Sequence, residues 1–401
     1  MSLDHRRVTS TVQVTDRAGA PLDHREVTVR QLRHAFEFGC AGFDIAQQSD
    51  EYRARWLDVF DTATLPFYWG RYEPVRGRTG RDELLRDARW FADHGVRLKG
   101  HPLVWHTVKA AWLDALPLDE AEQLLRRRIR REVADFAGLI DAWDAINEVV
   151  IMPRFTNEPD GVPNAITRLC ARLGRVEMVR LAVTEAGGHA EGPPRLILND
   201  FDLGPEYEEL IEGVLEAGIP IAAIGLQSHM HKGFRGEEAL DSVCERFARF
   251  GLPLHWTETT LVSGDPMPGH IEDLNDFVVD AWPSTSEGEA RQAEEIVRHY
   301  RTLVAHPAVA SITYWGLGDA GAWLNAPAGL LRADESAKPA YRALRDLVRG
   351  QWWLPETTMG TDADGRIAVA GFAGTYEVAS GRAAGEFPLS GTDSHVTVAL
   401  D

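Results

Sequence analysis

The feature that most constrains the fold of this chain is a regular alternation of short apolar runs with helical segments. Eight runs have the pattern of strands, at 35–41, 62–69, 97–105, 142–149, 195–201, 222–229, 253–261 and 310–316. Helical patterns lie between them at 50–60, 82–94, 119–136, 206–217, 237–250 and 287–306, and a last one follows at 339–348. Eight strand–helix units predict an α/β protein with a closed (β/α)8 TIM barrel, whose active site lies at the carboxyl ends of the strands.

A doubly wound open sheet is the competing architecture for alternating strands and helices. Such a sheet usually has fewer strands and a glycine-rich turn after the first one. No such turn follows the first apolar run of this chain. The 401 residues also fit a barrel of roughly 250 residues or more with an appendage.

The two ends of the chain have a different pattern from the middle. Residues 7–33 and 351–401 alternate as strands do, around turns at 17–21 and 362–365, with a last strand at 396–400. Neither piece has enough apolar residues for a core of its own. We therefore predict a barrel at 34–350, with 1–33 and 351–401 pairing into one small accessory β-sandwich; two unrelated caps are the alternative.

Composition limits the partners. The net charge of −19, with no long run of Lys and Arg, argues against nucleic acid, because phosphate binding needs clustered cations. The three cysteines are widely spaced, which suits a reducing compartment. No apolar run is long enough for a membrane span, and Met1 to Arg7 do not resemble a signal peptide. We expect a cytoplasmic protein with a carbohydrate substrate, no membrane or nucleic-acid partner, no cofactor and no metal.

Polar and aromatic residues cluster where the predicted strands end, and these ends meet at one rim of a barrel. Two of them are glutamates, Glu148 at the end of the fourth strand and Glu258 at the end of the seventh. Glycoside hydrolysis needs two carboxyl groups about the scissile bond, one protonated and one ionised. A separation of about 5–5.5 Å would allow a covalent intermediate and retention, whereas roughly 6.5–9.5 Å would leave room for water and inversion. A salt bridge at the rim is the ordinary alternative for either glutamate.

The strand ends resemble those of glycoside hydrolase family 10, the endo-β-1,4-xylanase family. The resemblance rests on six motifs in order, which cover the barrel from about Phe38 to Tyr341 and neither end. They are Gly100-His101-Pro102-Leu103-Val104-Trp105-His106, Trp143-Asp144-Ala145-Ile146-Asn147-Glu148, Gln227-Ser228-His229, Thr257-Glu258, Trp315-Gly316 with Asp319, and Trp323.

The resemblance implies a retaining β-glycoside hydrolase and a role for each matching residue. Glu148 would be the acid/base and Glu258 the nucleophile. The other residues would contact the sugar or the two carboxyl groups. Asn147 would bind the sugar 2-hydroxyl, Gln227 would lie beside Glu148, His229 would hold Glu258, His101 and Trp105 would line the glycone side, and Trp315 and Trp323 would stack on sugar faces.

The second strand departs from the family pattern. Xylanases usually have a Glu-Asn-x-Met-Lys-Trp segment there, and this chain has a shorter segment without the Asn and Lys. Tyr68, Trp69 and Arg71 occupy the region instead, and we expect Trp69 and Arg71 to bind substrate. An aromatic pair and a guanidinium would recognise a different sugar pattern from an amide and an ammonium. The long stretch 259–288 is expected to cover one end of the cleft, or else to be an ordinary surface loop.

Two other function classes remain open. A sugar-binding barrel without turnover would keep the fold, although the presence of both glutamates argues against it. A metal-dependent hydrolase would use His101, His106, His229 and His231, but such enzymes usually have a His-x-His on the first strand. The residues there, Phe36-Glu37-Phe38-Gly39-Cys40, contain none.

Overall fold

The computed structural model describes residues 2–156, 158, 161–188, 192, 194–391 and 394–401. The strands are β1 (Arg7–Thr15), β2 (Glu26–His34), β3 (Glu37–Ala41), β4 (Thr62–Pro66), β5 (Arg97–His101), β6 (Ala142–Asn147), β7 (Arg195–Asp200), β8 (Ala223–Met230), β9 (Leu254–Leu261), β10 (Val309–Tyr314), β11 (Thr357–Gly360), β12 (Arg366–Phe372), β13 (Gly374–Ser380), β14 (Ala383–Leu389) and β15 (Ser394–Ala399).

The helices lie mainly between the barrel strands. They are α1 (Asp50–Leu57), α2 (Trp69–Tyr72), α3 (Arg81–Asp93), α4 (Leu118–Asp135), α5 (Ala165–Leu173), α6 (Arg175–Gly187), α7 (Pro205–Glu216), α8 (Glu237–Ala248), α9 (Ser286–Ala305) and α10 (Pro339–Arg345), which continues as a π-helix over Asp346–Gln351. None of the helices in the described ranges is long and apolar enough to cross a membrane.

Strands β3 to β10 close into a parallel barrel, in which β10 pairs with both β9 and β3. The predicted (β/α)8 TIM barrel is confirmed. The barrel strands are buried over almost their whole length, which explains why they appear in the sequence as continuous apolar runs rather than as alternating ones.

Two helices between β6 and β7 have no counterpart among the predicted ones. Asn164 caps α5, because its side chain accepts hydrogen bonds from the backbone N–H groups of Ile166 and Thr167. Gly174, at φ 87°, separates α5 from α6. Gly174 therefore divides one helical stretch into two helices, of 9 and 13 residues.

The two chain ends form accessory sheets next to the barrel, as predicted. One sheet has the order β12-β1-β15 and the other the order β11-β2-β13-β14. Their inner faces share one apolar cluster drawn from both ends of the chain, which includes Val12, Val29, Val369, Tyr376 and Phe387. Because each sheet takes strands from both ends, neither end buries this core without the other. Trp352, one residue past the π-helix, packs in the barrel core, so barrel packing extends past residue 350; the division into domains stays a prediction.

Candidate active site

The two glutamates stand at the mouth on β6 and β9, three strands apart around the barrel, and both have unusual backbone conformations. Glu148 follows β6 with φ 56°, and Glu258 lies in β9 with φ 58°. A residue other than glycine in this left-handed region costs roughly 1–3 kcal/mol, and such residues concentrate at functional sites. The pairing of β9 with β8 also shifts by one residue between Thr257 and Thr260. A shift of this kind redirects a side chain, and here the redirected residue is Glu258.

Glu148 is enclosed by neutral hydrogen-bond donors. The indole Nε1 of Trp105 donates to its Oε2 at 2.8 Å, and the side-chain amides of Gln227 and Asn147 each donate to its Oε1 at 3.2 Å. Burial first, and then the charge of Glu258, raises the pKa of Glu148 to about 8. The carboxyl group of Glu148 is therefore protonated at neutral pH, as a general acid requires.

Glu258 has the opposite environment. The amide of Asn199 donates to its Oε1 at 2.8 Å, the Nε2 of His229 donates to its Oε2 at 3.2 Å, and the Nε2 of His101 lies 4.0 Å from Oε1. Burial by itself would raise the pKa of Glu258, but His101 and His229 outweigh it and hold the pKa below the ordinary value. Glu258 is 5% exposed and ionised, which is the state of a nucleophile.

Side-chain amides connect the surroundings of the two carboxyl groups. Asn199 donates to both Glu258 and Asn147, and the oxygen of Asn147 also accepts from Gln227 at 3.1 Å. The hydroxyl of Thr257 donates to the oxygen of Asn199 at 2.6 Å, which fixes the orientation of that amide. Asn147 is fully buried by these contacts; its predicted bond to a sugar 2-hydroxyl stays a prediction.

Asn199 was not among the predicted site residues. It ends the fifth predicted strand next to Asp200, and a polar pair at a barrel strand end is the signal that marks it. Its place inside the mouth depends on Gly225 of β8, because a Cβ atom there would lie 2.4 Å from the Asn199 side-chain oxygen. β7 and β8 pair at this position, and the close contact between the two residues is visible only in the folded chain.

His101 is held in place by two buried charged residues, Asp144 and Lys99. The Nδ1 of His101 bonds Oδ2 of Asp144 at 2.7 Å, and the ammonium of Lys99 lies 2.9 Å from the same oxygen. Burial alone would raise the pKa of Asp144, but Lys99 and His101 lower it. The ionised Asp144 thereby orients the His101 ring, whose other nitrogen faces Glu258.

Aromatic rings line the other part of the mouth. Trp315 and Trp105, both predicted, lie with Phe43 and Tyr68 at the ends of β10, β5, β3 and β4. The guanidinium of Arg71 lies 5.6 Å from the centre of the Tyr68 ring, so Arg71 contacts a residue of the mouth. Phe43 was missed because it follows the first strand within a segment that has no motif.

Trp69, which was expected to bind substrate, is buried behind Tyr68. Strand β4 ends at Pro66, and Trp69 begins helix α2 with its side chain 4% exposed. Its indole donates to Glu73 and lies edge-on against Trp112, and the guanidinium of Arg128 covers its ring at 5.0 Å. The chain turns into a helix immediately after Tyr68, so these neighbouring aromatic residues face different surroundings.

The stretch 259–288 is attached to the loop that carries Trp323. Val262, Met267 and Trp282 form a small apolar cluster with Ala326 and Ala328. Asn275 accepts a hydrogen bond from Trp323 at 3.2 Å, and the Trp323 ring lies 5.0 Å from that of His229. Trp323 remains 38% exposed, so its outer surface is available to a ligand beside the catalytic pair.

The histidines proposed for a metal pack mainly against aromatic rings, and among them His229 and His231 have ring centres 5.8 Å apart. His106 is buried against Phe155, and His231 lies between Trp282 and Trp323. Over the described ranges of the chain, no three His, Cys, Asp or Glu side chains are grouped to hold a metal ion.

With this geometry established, comparison with known proteins decides the family. The sequence profile of Glycosyl hydrolase family 10 matches residues 67–347, well over half of the chain. The chain belongs to glycosyl hydrolase family 10. The predicted enzyme class, a β-glycoside hydrolase of the xylanase type, is confirmed by this membership.

Two relatives show how far the family likeness extends. Endo-1,4-beta-xylanase B of Thermotoga neapolitana is 26% identical over 296 residues, which cover 70% of this chain and 78% of that enzyme. Anti-sigma-I factor RsgI6 of Acetivibrio thermocellus is 21% identical over 374 residues, which cover 92% of this chain but 44% of that longer protein. The second alignment therefore reaches into the terminal segments.

Solved structures confirm the fold of this family 10 protein. The family 10 structure from Paenibacillus barcinonensis has a TM-score of 0.64 at 22% identity, covering 78% of this chain and 95% of that one. Xylanase 10B of Thermotoga petrophila, solved in complex with xylobiose, has a TM-score of 0.63 at 21% identity, covering 79% and 95%. The family profile begins only at Phe67. The first two barrel strands, β3 and β4, and Phe43 between them therefore fall outside it.

Proposed function

We propose that this protein hydrolyses β-linked oligosaccharides or glycosides with retention, with Glu148 as acid/base and Glu258 as nucleophile. The proposal rests on opposite pKa shifts of two neighbouring carboxyl groups. The pKa of Glu148 is raised to about 8, and the pKa of Glu258 is lowered. Carboxyl groups whose environments push their pKa values apart are the usual acid and base of such a site.

The chemistry follows from the two protonation states. Protonated Glu148 gives its proton to the leaving oxygen while ionised Glu258 attacks the anomeric carbon, and the glycosidic C–O bond breaks. Esterification of Glu258 removes its charge, and with it the charge that raises the pKa of Glu148. Glu148 then acts as the base that takes a proton from water, whose oxygen releases the sugar from Glu258.

The substrate class rests on similarity as well as on the site. Relatives that carry the name endo-1,4-beta-xylanase make xylo-configured glycosides the first to test. The aromatic rings and buried polar donors of the mouth suit a neutral sugar. A cytoplasmic location stays a prediction; the described Cys40, Cys170 and Cys244 are all buried and free, which is consistent with it.

A second candidate is sugar binding without turnover. The observation that favours it is the relative aligned over 92% of this chain, whose name refers to an anti-sigma function and not to hydrolysis. In that case the carbohydrate would be a signal that the barrel binds and releases unchanged.

One experiment separates the two candidates. A panel of 4-nitrophenyl β-glycosides (xyloside, xylobioside, glucoside, cellobioside and arabinoside) is tested with the wild type and with Glu258→Ala as the blank. We expect hydrolysis of at least one substrate by the wild type alone. Hydrolysis of none, together with measurable sugar binding by both proteins, would support the binding protein.

A further inference from the structure

The aromatic residues of the mouth form a continuous wall. In the barrel, β10, β3, β4 and β5 are consecutive neighbours, and each ends in one aromatic ring. The ring centres of Trp315 and Phe43 are 5.6 Å apart, those of Phe43 and Tyr68 6.1 Å, and those of Tyr68 and Trp105 5.6 Å. We call these four residues the aromatic wall.

The wall has no opening wide enough for a sugar. A pyranose ring between two aromatic rings needs about 7–8 Å between their centres, because each apolar contact takes about 3.5–4 Å. All three neighbouring separations in the wall are shorter. A sugar chain that enters the mouth therefore cannot continue between these rings.

The wall surrounds the sugar position next to the nucleophile. His101 lies at its base, with ring centres 5.1 Å from Trp315, 5.7 Å from Tyr68 and 6.3 Å from Trp105. The Nε2 of the same His101 lies 4.0 Å from Glu258. Because the glycone becomes bonded to the nucleophile, its ring must lie beside these groups and against the wall.

Tyr68 also brings a polar group to this position. Its ring centre lies 5.7 Å from that of His101, whose Nε2 lies 4.0 Å from Glu258. Burial first, and then the charge of Glu258, raises the pKa of the Tyr68 phenol. Within the described part of the chain its hydroxyl has no hydrogen-bond partner, although the ring is only partly exposed. A hydroxyl left free in this position is available to a hydroxyl of the sugar.

We infer that Phe43 and Tyr68 close the glycone side of the site, so that the enzyme removes a single terminal sugar from its substrates instead of cutting within a chain. This inference rests on the proposed function and makes the two residues determinants of specificity. The closed side takes one pyranose, and the leaving group lies on the side of Glu148, which protonates its oxygen.

The test compares 4-nitrophenyl β-xyloside with 4-nitrophenyl β-xylobioside, or the glucoside with the cellobioside if only gluco-configured substrates react. With the wild type we expect nitrophenol release from the monoside to be at least ten-fold more efficient, in kcat/KM, than direct release from the bioside. The bioside should first lose its terminal sugar, which chromatography detects as nitrophenyl monoside. Direct release from the bioside as fast as or faster than from the monoside overturns the inference.

Variants identify the residues responsible. Phe43→Ala combined with Tyr68→Ala should raise direct nitrophenol release from the bioside relative to the monoside by ten-fold or more. Tyr68→Phe should keep the preference for the monoside but raise its KM, because only the hydroxyl is lost. Phe201→Ala is the control, since this aromatic residue is exposed at the end of β7, across the mouth, and should leave the ratio of the two substrates unchanged.

The outcomes also separate this inference from the proposed function. A wild type that prefers the bioside, with Glu258→Ala inactive, overturns the closed glycone side and leaves the hydrolase intact. Hydrolysis of no substrate by either protein overturns both. The double Ala variant could instead melt within a few degrees of the wild type and show an unchanged ratio of bioside to monoside hydrolysis. That result would mean that Phe43 and Tyr68 do not determine the preference.

Discussion

The two halves of the barrel mouth are built differently. The half formed by β6 to β9 ends in amides, imidazole and carboxyl groups that hydrogen-bond one another, with Asn199 and Gln227 at the centre. The half formed by β10 and β3 to β5 ends in aromatic rings that contact one another edge-on or tilted. Hydrogen bonds are directional and hold individual atoms in place, whereas packed aromatic rings mainly determine the shape and size of the space beside them. The first half, together with His101 at the end of β5, therefore sets protonation, and the aromatic rings of the second half set which sugar fits.

The largest effects are expected in the hydrogen-bonded half. Glu258→Gln should lower kcat by about 10⁴-fold or more on every aryl glycoside, because no nucleophile remains. Glu148→Gln should cost roughly 10²–10⁴-fold on nitrophenyl substrates, since proton donation is lost. With a dinitrophenyl leaving group, which needs no proton, the Glu148→Gln variant should still form the glycosyl-enzyme rapidly. Equal losses in the rate of glycosyl-enzyme formation, measured as the nitrophenol burst or as kcat/KM, for both leaving groups would contradict the acid role.

The next effect tests the amide that connects the two carboxyl groups. Asn199→Ala removes a hydrogen bond to ionised Glu258 and should lower kcat by roughly 10–100-fold, the equivalent of one charge-assisted bond. Asn199→Asp should cost more, and it should move the acid limb of the pH profile upward, because a second negative charge raises the pKa of Glu258. A kcat unchanged in Asn199→Ala would mean that this amide is only structural.

A smaller effect concerns Trp105, which belongs to both halves. Its indole bonds the ionised form of Glu148 and so lowers a pKa that burial and Glu258 raise. In Trp105→Phe the pKa of Glu148 should rise, and the basic limb of kcat/KM should move from about pH 8 upward by roughly one unit. Trp315→Phe is the matched control, because it alters the wall and leaves that bond intact. A basic limb that moves down in Trp105→Phe would refute the argument.

The smallest effect is expected outside both halves. Trp69→Phe keeps an aromatic ring in a buried position and loses one hydrogen bond to Glu73. The free energy of unfolding should fall by about 1 kcal/mol, while KM and kcat stay within about two-fold of the wild type. Thermal melting and aryl glycoside kinetics measure the two quantities. A several-fold rise in KM would return Trp69 to the substrate site.

Sequence reasoning succeeded where one stretch of chain carries the whole signal. The continuous apolar runs predict all eight barrel strands, and Glu148 and Glu258 are placed by their position at or near strand ends. It failed where a decision depends on distant parts of the chain. Asn199 needs the space that Gly225 leaves on the neighbouring strand β8.

By itself the sequence determined the barrel and marked Glu148 and Glu258 as candidate acids, because hydrophobic period and motif spacing are local properties of the chain. Only the tertiary structure decided that Tyr68 faces the cleft while Trp69 is buried behind it, and that one glutamate keeps its proton while the other loses it. The direction of a side chain after a strand end and the pKa of a buried acid both depend on groups that folding brings together.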